Sequence, residues 1–348
     1  MRAIVKRRPG PGVELADVRV PEAGPGEALL QVVVSGICGT DLHIVDWNPW
    51  AAGRVRLPRV LGHEMAGRVA ALGAGVTGLR EGDLVGVESH LVDLTCPQCR
   101  RGLFHVCAKT RILGVDTDGT LAEWVAVPAR NCRPAPAGLA PELVAFQEPM
   151  GNAVHAALQG PLRDRVVLVT GCGPIGCAAV GVARAEGAGR VVAVDRAPHR
   201  LEMARQMGAD AAVDAGVAGD LPARMREACG GAADVVLEMA GHPALVAAAL
   251  AALAPGGWIS LLGLGDGPVA LDLNALVVMR QITLYGVTGR RQFETWDRTA
   301  GYLASGAVDP GPILTHRFLL DEHPQAFEVA RSGRGGKVLI YPAEGAIP

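Results

Sequence analysis

The pattern of hydrophobic and polar positions changes once along this chain. Up to about residue 150 the apolar positions come in short alternating or β-branched runs: RAIVKRR, EALLQVVVSGIC, EMAGRVAALG, DLVGVES and LAEWVAVPA, each bounded by Gly, Pro or Asp. Side chains alternate faces along a strand, so these runs predict strands, and the region is expected to be an all-β unit. From about residue 165 the runs RVVLVTG, RVVAVD, ADVVLEMAG and WISLLGLG are continuously apolar, as in strands covered on both faces. Between them lie alanine-rich helical stretches such as PIGCAAVGVARAEG and PHRLEMARQMG, each closed by a glycine suited to a helix C-terminus. Alternating strand and helix predicts an α/β fold with a parallel, doubly wound sheet. After about residue 290 come a helix (RQFETWDRTAGYLASG), a strand (ILTHRFLL), a helix (HPQAFEVARSG) and a last strand (GKVLIYP). These are expected to return to the first unit.

A length of 348 residues is too great for one ordinary core. Two domains are expected: 1–152 with 290–348, carrying a cysteine-rich lobe at about 88–110, and 153–289 as a dinucleotide-binding domain. With 49% apolar and 20% charged residues the composition is that of a globular protein. A formal net charge of −2 gives no electrostatic reason for a nucleic acid or an anionic membrane as partner. MRAIVKRRPGPGVEL lacks the apolar core of a signal peptide. The apolar stretch ALVAAALAALAPGGWISLLGLG is interrupted by Pro255-Gly256-Gly257, which predicts helix, turn and buried strand in place of a membrane span. Eight cysteines in a chain of this length do not suggest a disulfide framework, so a reducing, cytoplasmic location is expected.

The strongest local motif is RVVLVTGCGPIGCAAVGVA, with Gly171, Gly173 and Gly176 directly after a strand and before a helix. The first glycine makes the tight turn, the second lets backbone approach a pyrophosphate, and the third packs helix on strand. Pro174 and Ile175 open the helix, whose free N–H groups favour an anion. Asp195 ends the next strand, where an acid would bind ribose hydroxyls and repel a 2′-phosphate, favouring NAD over NADP. Arg196 and Arg200 leave NADP open, since either is able to pair with a phosphate.

A second constellation is metal-like. GICGTDLHI and LGHEMAGRV supply Cys38, His63 and Glu64: a thiolate, an imidazole and a carboxylate, all competent zinc ligands. Further on, ESHLVDLTCPQCRRGLFHVC spaces Cys96, Cys99 and Cys107 as C-x2-C-x7-C, one ligand short of a closed site.

GICGTDLH, GHE, the cysteine-rich lobe, EPMGNAVH and GCGPIG occur in an order and at separations that resemble the zinc-dependent medium-chain dehydrogenase/reductase family. ICGTDLHIVDWNPW, FQEPMGNAVHAAL, GRRQFETW, PILTHRF and SGRGGKVLI extend the resemblance over nearly the whole chain, and are closest to the branch that oxidises the 3-hydroxyl of L-threonine. The resemblance implies a GroES-like domain joined to a Rossmann domain, with the active site in the cleft between them. It implies Cys38, His63 and Glu64 as ligands of a catalytic zinc, Glu148 as an acid that closes or yields the fourth position, and Thr40 and His43 as a proton relay. It places His90 near the substrate, and Arg200, Leu262 and Val287 along the cofactor. In the lobe the family has four cysteines around a structural zinc. Here the first position is Asp93, which implies a site of Asp93, Cys96, Cys99 and Cys107, with three thiolates plus water as the alternative. The implied substrate is a small amino acid or alcohol, and the metal ligands alone also fit a polyol dehydrogenase. The implied assembly is a homotetramer. Cys132, Cys172, Cys177 and Cys229 read as buried apolar residues, and His105, His155, His199, His242, His316 and His323 as structural or solvent-facing.

Overall fold

The computed structural model describes residues 1–265 and 267–343. They form two units, the first made of Met1–Glu148, Arg291–Ala300 and the segment from Leu314 onward, the second of Pro149–Arg290 and Gly301–Ile313.

The first unit is organised on the strand Glu27–Gly36, whose Ala28, Leu30 and Val32 point alternately into a core with Met65, Val85, Val87 and Val125. It pairs antiparallel with Glu64–Leu72 on one side, with Trp124–Pro128 along its first half, and with Lys337–Tyr341 at its end. Gly36 is thus opposite both Glu64 and Leu339, which brings the C-terminal strand next to the GHE segment.

This unit is not all-β. It contains helices Gly39–Asp46, Pro49–Arg54 and Pro97–Arg100, and the helix Pro141–Ala157 begins in it. Gly39–Asp46 has eight residues, too few for a helical period to stand out. Pro141–Ala157 buries Val144, Ala145, Phe146, Met150, Ala153 and Val154, so it lacks an amphipathic stripe. It also contains Pro149, a residue that ordinarily marks a helix end.

The second unit has a six-stranded parallel sheet in the order Ala211–Asp214, Arg190–Asp195, Val166–Thr170, Ala233–Glu238, Leu253–Leu261, Thr283–Gly286. The order reverses between Val166–Thr170 and Ala233–Glu238, the switch point at which such sheets bind ligands beyond their strand C-termini. Leu168, Val192, Val194, Val236 and Ile259 are fully buried, which accounts for the uninterrupted apolar runs.

Residues 301–313, expected with the first unit, pack with the second. Val308 lies against Gly181, where an added Cβ would stand 2.9 Å from Val308 Cγ1, and the Tyr302 hydroxyl donates to Glu186. No helix among the described residues is long and apolar enough to cross a membrane.

Candidate metal and cofactor sites

Cys38 ends the extended segment before Gly39–Asp46 and is the N-cap of that helix. The helix's third residue, Asp41, is 1% exposed and accepts from two backbone N–H groups: Cys38 at 2.8 Å and Gly62 at 3.0 Å. One buried carboxylate therefore ties the Cys38 turn to the loop that presents His63. Glu64 follows as the first residue of its strand. Ligand atoms of Cys38, His63 and Glu64 all lie within 4.8 Å of one another.

These residues fit a zinc ion. His63 is 5% exposed, and its buried Nδ1 has no hydrogen-bond partner among the described residues, a state that costs about 1–3 kcal/mol unless something answers it. Burial by itself lowers the imidazole pKa, but Cys38, then Asp41 and Glu148, outweigh burial and push it up to about 10. The cluster attracts positive charge, the condition a divalent cation meets.

Glu148 is not part of the three-residue cluster. It is 4% exposed on Pro141–Ala157, and its Oε1 accepts a 2.6 Å hydrogen bond from the Ser89 hydroxyl. Sequence reading does not find Ser89, Asp41 or Lys337. Lys337 sits 5% exposed on the C-terminal strand, its ammonium 2.8 Å from Glu64 Oε1 and 2.7 Å from Oε2. Burial lowers its pKa, but Glu64, Cys38 and Glu148 outweigh burial and raise it, so it stays charged. Asp41 has a local signal, an acid three residues after a helix-capping position. Lys337 has none.

Thr40 is half-buried, its hydroxyl 3.8 Å from Cys38 Sγ, and His43 is exposed one turn further along the same helix. Asn48 fixes the His43 tautomer. Its side-chain oxygen accepts from Ala51 N–H at 2.9 Å, so its amide nitrogen faces His43 Nδ1 at 3.0 Å and the ring proton is on Nε2. To take up a proton, His43 must release Asn48.

His90, half-buried, is held by its backbone. Its N–H donates to Glu88 Oε1 at 2.9 Å, and its carbonyl accepts from Asn131 at 3.0 Å and Gln292 at 2.8 Å. Trp296 of the FETW segment donates its indole N–H to Glu88 Oε2 at 2.7 Å and is 2% exposed. Through Glu88, that segment supports the His90 strand.

In the lobe, Asp93, Cys96, Cys99 and Cys107 converge with all ligand atoms within 4.8 Å. Asp93 Oδ1 accepts from the N–H groups of Thr95 and Cys96, and Oδ2 from the Thr95 hydroxyl, which turns the carboxylate toward the thiols; Cys107 Sγ is 3.5 Å from Oδ1. The Cys96 and Thr95 N–H groups hold the Asp93 carboxyl well below the usual carboxylate range. Cys99 is pushed up to about 12, first by burial and then by its two sister thiols, while the Cys99 N–H lowers Cys96. Thiols so close do not ionise together without a cation, and the donor set suits a closed zinc site. Cys99→Ser is expected to remove about one equivalent of zinc and lower the melting temperature by roughly 5 °C or more, with turnover at 25 °C nearly unchanged. Metal analysis and a thermal melt check this; a loss of turnover at 25 °C matching the loss of metal would make the lobe part of the catalytic site.

In the second unit, Gly171 takes φ 85°, a left-handed conformation suited to glycine. A Cβ on Gly176 would lie 1.8 Å from the Gly171 carbonyl oxygen, so helix and strand pack as closely as expected. Gly173 is the N-cap of Pro174–Ala185, and a Cβ there would meet nothing within 4 Å, which leaves its face open to a ligand. Asp195 Oδ2 accepts from Cys172 N–H at 2.7 Å and Oδ1 from Ala197 N–H at 2.9 Å, leaving lone pairs on both oxygens. Arg200 Nη1 is 3.9 Å from Asp195 Oδ2, turned toward the acid. Leu262 and Val287 follow the C-terminal ends of Leu253–Leu261 and Thr283–Gly286, with backbone N–H bonds to Glu238 and Leu261 carbonyls. His155 is buried and bonds the Gly289 carbonyl at 2.9 Å, a structural role.

Two family models match the chain: one described as "Alcohol dehydrogenase GroES-like domain" over residues 24–137, the other as "Zinc-binding dehydrogenase" over 174–305. Among curated proteins, an L-threonine 3-dehydrogenase of Pyrococcus horikoshii is 44% identical over 341 residues, covering 98% of both chains. Another, of Symbiobacterium thermophilum, is 45% identical over 343 residues with the same coverage. Among solved structures, an alcohol dehydrogenase from Thermus sp. ATN1 superposes with a TM-score of 0.88 at 32% identity, covering 98% of this chain and 99% of that one.

Proposed function

The chain belongs to the zinc-dependent medium-chain dehydrogenase/reductase family, and from that premise we propose that it oxidises the 3-hydroxyl of L-threonine to 2-amino-3-oxobutanoate with hydride transfer to NAD. The observation that carries the chemistry is the buried trio Cys38, His63 and Glu64, whose ligand atoms lie within 4.8 Å. What favours L-threonine is the identity of 44–45%, spread over 98% of the chain, to proteins named for that reaction.

Cys38, His63 and Glu64, with Glu148 beside them, would hold a catalytic zinc. When bound, zinc supplies a Lewis acid that stabilises negative charge on a substrate oxygen, a contribution on the order of several kcal/mol. The chain's own residues do the rest. Thr40, next to Cys38, accepts the hydroxyl proton on its oxygen as it passes its own proton on. His43 exchanges that proton with solvent through Nδ1 once Asn48 lets go. Glu88, Asn131 and Gln292 fix the backbone of His90, which presents its imidazole toward the substrate amino acid.

In the second unit, the N-terminus of Pro174–Ala185 receives the pyrophosphate and Asp195 the ribose hydroxyls. Asp195 favours NAD because its charge, with Arg200 turned toward it, opposes a 2′-phosphate. The lobe would hold a second, structural zinc on Asp93, Cys96, Cys99 and Cys107.

Among the described residues the edge strand Thr283–Gly286 pairs only with Leu253–Leu261, and Leu273, Val278, Met279 and Leu284 are exposed near it in sequence. An unpaired edge with exposed apolar side chains suits subunit pairing, and a homotetramer is the proposed assembly. All eight cysteines are free thiols, in keeping with the cytoplasm.

The test is the initial rate of NADH formation with L-threonine, sorbitol or 2-propanol as substrate. L-threonine is expected to exceed the others by about 100-fold or more in kcat/KM, since buried polar partners discriminate strongly. Faster turnover of sorbitol would keep the zinc chemistry and overturn the substrate.

A further inference from the structure

Three strands meet beside the metal cluster. Glu64 begins Glu64–Leu72, Gly36 ends Glu27–Gly36, and Lys337 begins Lys337–Tyr341. Glu64 and Lys337 therefore lie on opposite sides of the strand that leads into Cys38. Their side chains join across it because position 36 has none. A Cβ on Gly36 would stand 2.3 Å from Glu64 Oε2 and 3.3 Å from Lys337 Cδ. The Lys337 ammonium also donates to the Ile37 carbonyl at 3.1 Å, one residue before Cys38.

The pair is almost sealed from water, with side-chain exposures of 6% for Lys337 and 2% for Glu64. A buried ammonium and carboxylate are costly to desolvate, and replacing such a pair by apolar groups is often neutral or stabilising. Stability alone is thus a weak reason for this arrangement. Charge around a divalent ion is a better one. As ligands, Cys38 and Glu64 bring two negative charges and a neutral His63 brings none, and Glu148 beside them brings a third. Against a charge of +2 the shell is one negative charge in excess, which weakens the ion as an electron-pair acceptor. Lys337 cancels the excess, and it does so at Glu64, where both carboxylate oxygens already face the ammonium.

We propose that Lys337 is a positioning residue for the metal site: through Glu64 it neutralises the excess negative charge of the shell and limits how strongly that carboxylate donates to the ion. The inference rests on the reading of Cys38, His63 and Glu64 as metal ligands. It makes the C-terminal strand, through Lys337 and Glu64, part of the catalytic apparatus.

The test uses the full-length protein, stripped of metal and loaded with Co2+, with the rate of Co2+ transfer to excess EDTA as readout; the same measurement in a Cys99→Ser background, which removes the lobe site, assigns the signal of the Cys38 site. With Lys337→Met, Glu64 loses its competing partner, and Co2+ release is expected to slow by about fivefold or more, with a lower kcat and an unchanged KM for NAD. Lys337→Arg keeps the charge and is expected to stay within about twofold of the parent in both. In a Glu64→Gln background, adding Lys337→Met is expected not to slow release, because the anion through which the lysine acts is gone.

Release that is unchanged or faster in Lys337→Met overturns the inference, as does equal slowing in the Glu64→Gln background. If Lys337→Met does not fold, Lys337→Gln, which keeps a donor for Ile37 but no charge, carries the same expectation. Parent protein that binds no Co2+ beyond the lobe, or binds it equally well after Cys38→Ser, refutes the metal-site reading itself. Binding lost with Cys38→Ser but indifferent to Lys337 refutes this inference alone.

Discussion

Cys38→Ser is expected to lower turnover of L-threonine about 1,000-fold or more while leaving NAD affinity within roughly threefold. Serine is nearly the size of cysteine and is a favourable N-cap, so Gly39–Asp46 should form as before, with Asp41 still bridging Cys38 and Gly62 N–H groups. What changes is the ligand atom, from a thiol sulfur to a hydroxyl oxygen, which is not among the usual protein ligands of zinc. His63 and Glu64 are then too few to hold zinc in a three-ligand catalytic geometry. At about 1.4 kcal/mol per factor of ten, a loss of several kcal/mol of charge stabilisation gives the stated range. Because Gly171, Gly173, Gly176 and Asp195 lie in the other unit, cofactor binding has no reason to follow. Steady-state rates with NAD titration by fluorescence check both halves, and a variant that retained a tenth of parental turnover would rule out thiolate ligation at Cys38.

The second large effect is expected in the dinucleotide turn, and two glycines there should respond differently. In Gly176→Ala the new Cβ would lie 1.8 Å from the Gly171 carbonyl oxygen, a backbone atom that cannot rotate aside. Gly171 is itself fixed at φ 85° with its N–H on the Val194 carbonyl at 2.8 Å, so relief requires the helix Pro174–Ala185 to lift from the sheet. Overpacking of this kind costs roughly 3 kcal/mol or more, and the displaced helix N-terminus should weaken NAD binding about 100-fold. Gly173→Ala adds a Cβ with no atom within 4 Å, at a φ of −66° that alanine adopts freely. Its melting temperature should therefore stay within about 2 °C of the parent, while NAD affinity falls about tenfold or more because the methyl stands where backbone approaches pyrophosphate. Calorimetry and NAD titration on both variants separate the two. A Gly173 variant with full NAD affinity would move the phosphate away from this turn.

The dinucleotide turn is legible in the sequence because its signal is local. The strand, glycine turn, helix and terminal acid around Gly171–Asp195 lie within one stretch of chain, and each step limits the next. Cys38, His63 and Glu64 stand out by residue type and by the resemblance that GICGTDLH and GHE carry. Their convergence requires the pairing of Glu27–Gly36 with Glu64–Leu72, which the sequence suggests only as two strands. The helix Pro141–Ala157 escapes sequence reading for a physical reason: buried all round and interrupted by Pro149, it shows neither periodicity nor a clean boundary. Residues 301–313 read as part of the wrong unit because their attachment depends on Val308 meeting Gly181 and Tyr302 meeting Glu186, contacts that no local pattern encodes.

The sequence by itself determined a glycine turn between strand and helix and the change from half-buried to fully buried strands, which follow from steric and hydrogen-bonding rules acting between near neighbours; Cys38, His63 and Glu64, and the aspartate in place of a cysteine in the lobe, it marked as candidates through the family resemblance. Tertiary structure alone decided how the groups are charged and held. Lys337 reaches Glu64 across 273 residues of chain and through the space left by Gly36, Glu148 is tied to Ser89, and Trp296 is buried against Glu88. The electrostatics of a buried site depend on what the fold brings within a few ångströms, and distance along the chain carries no record of it.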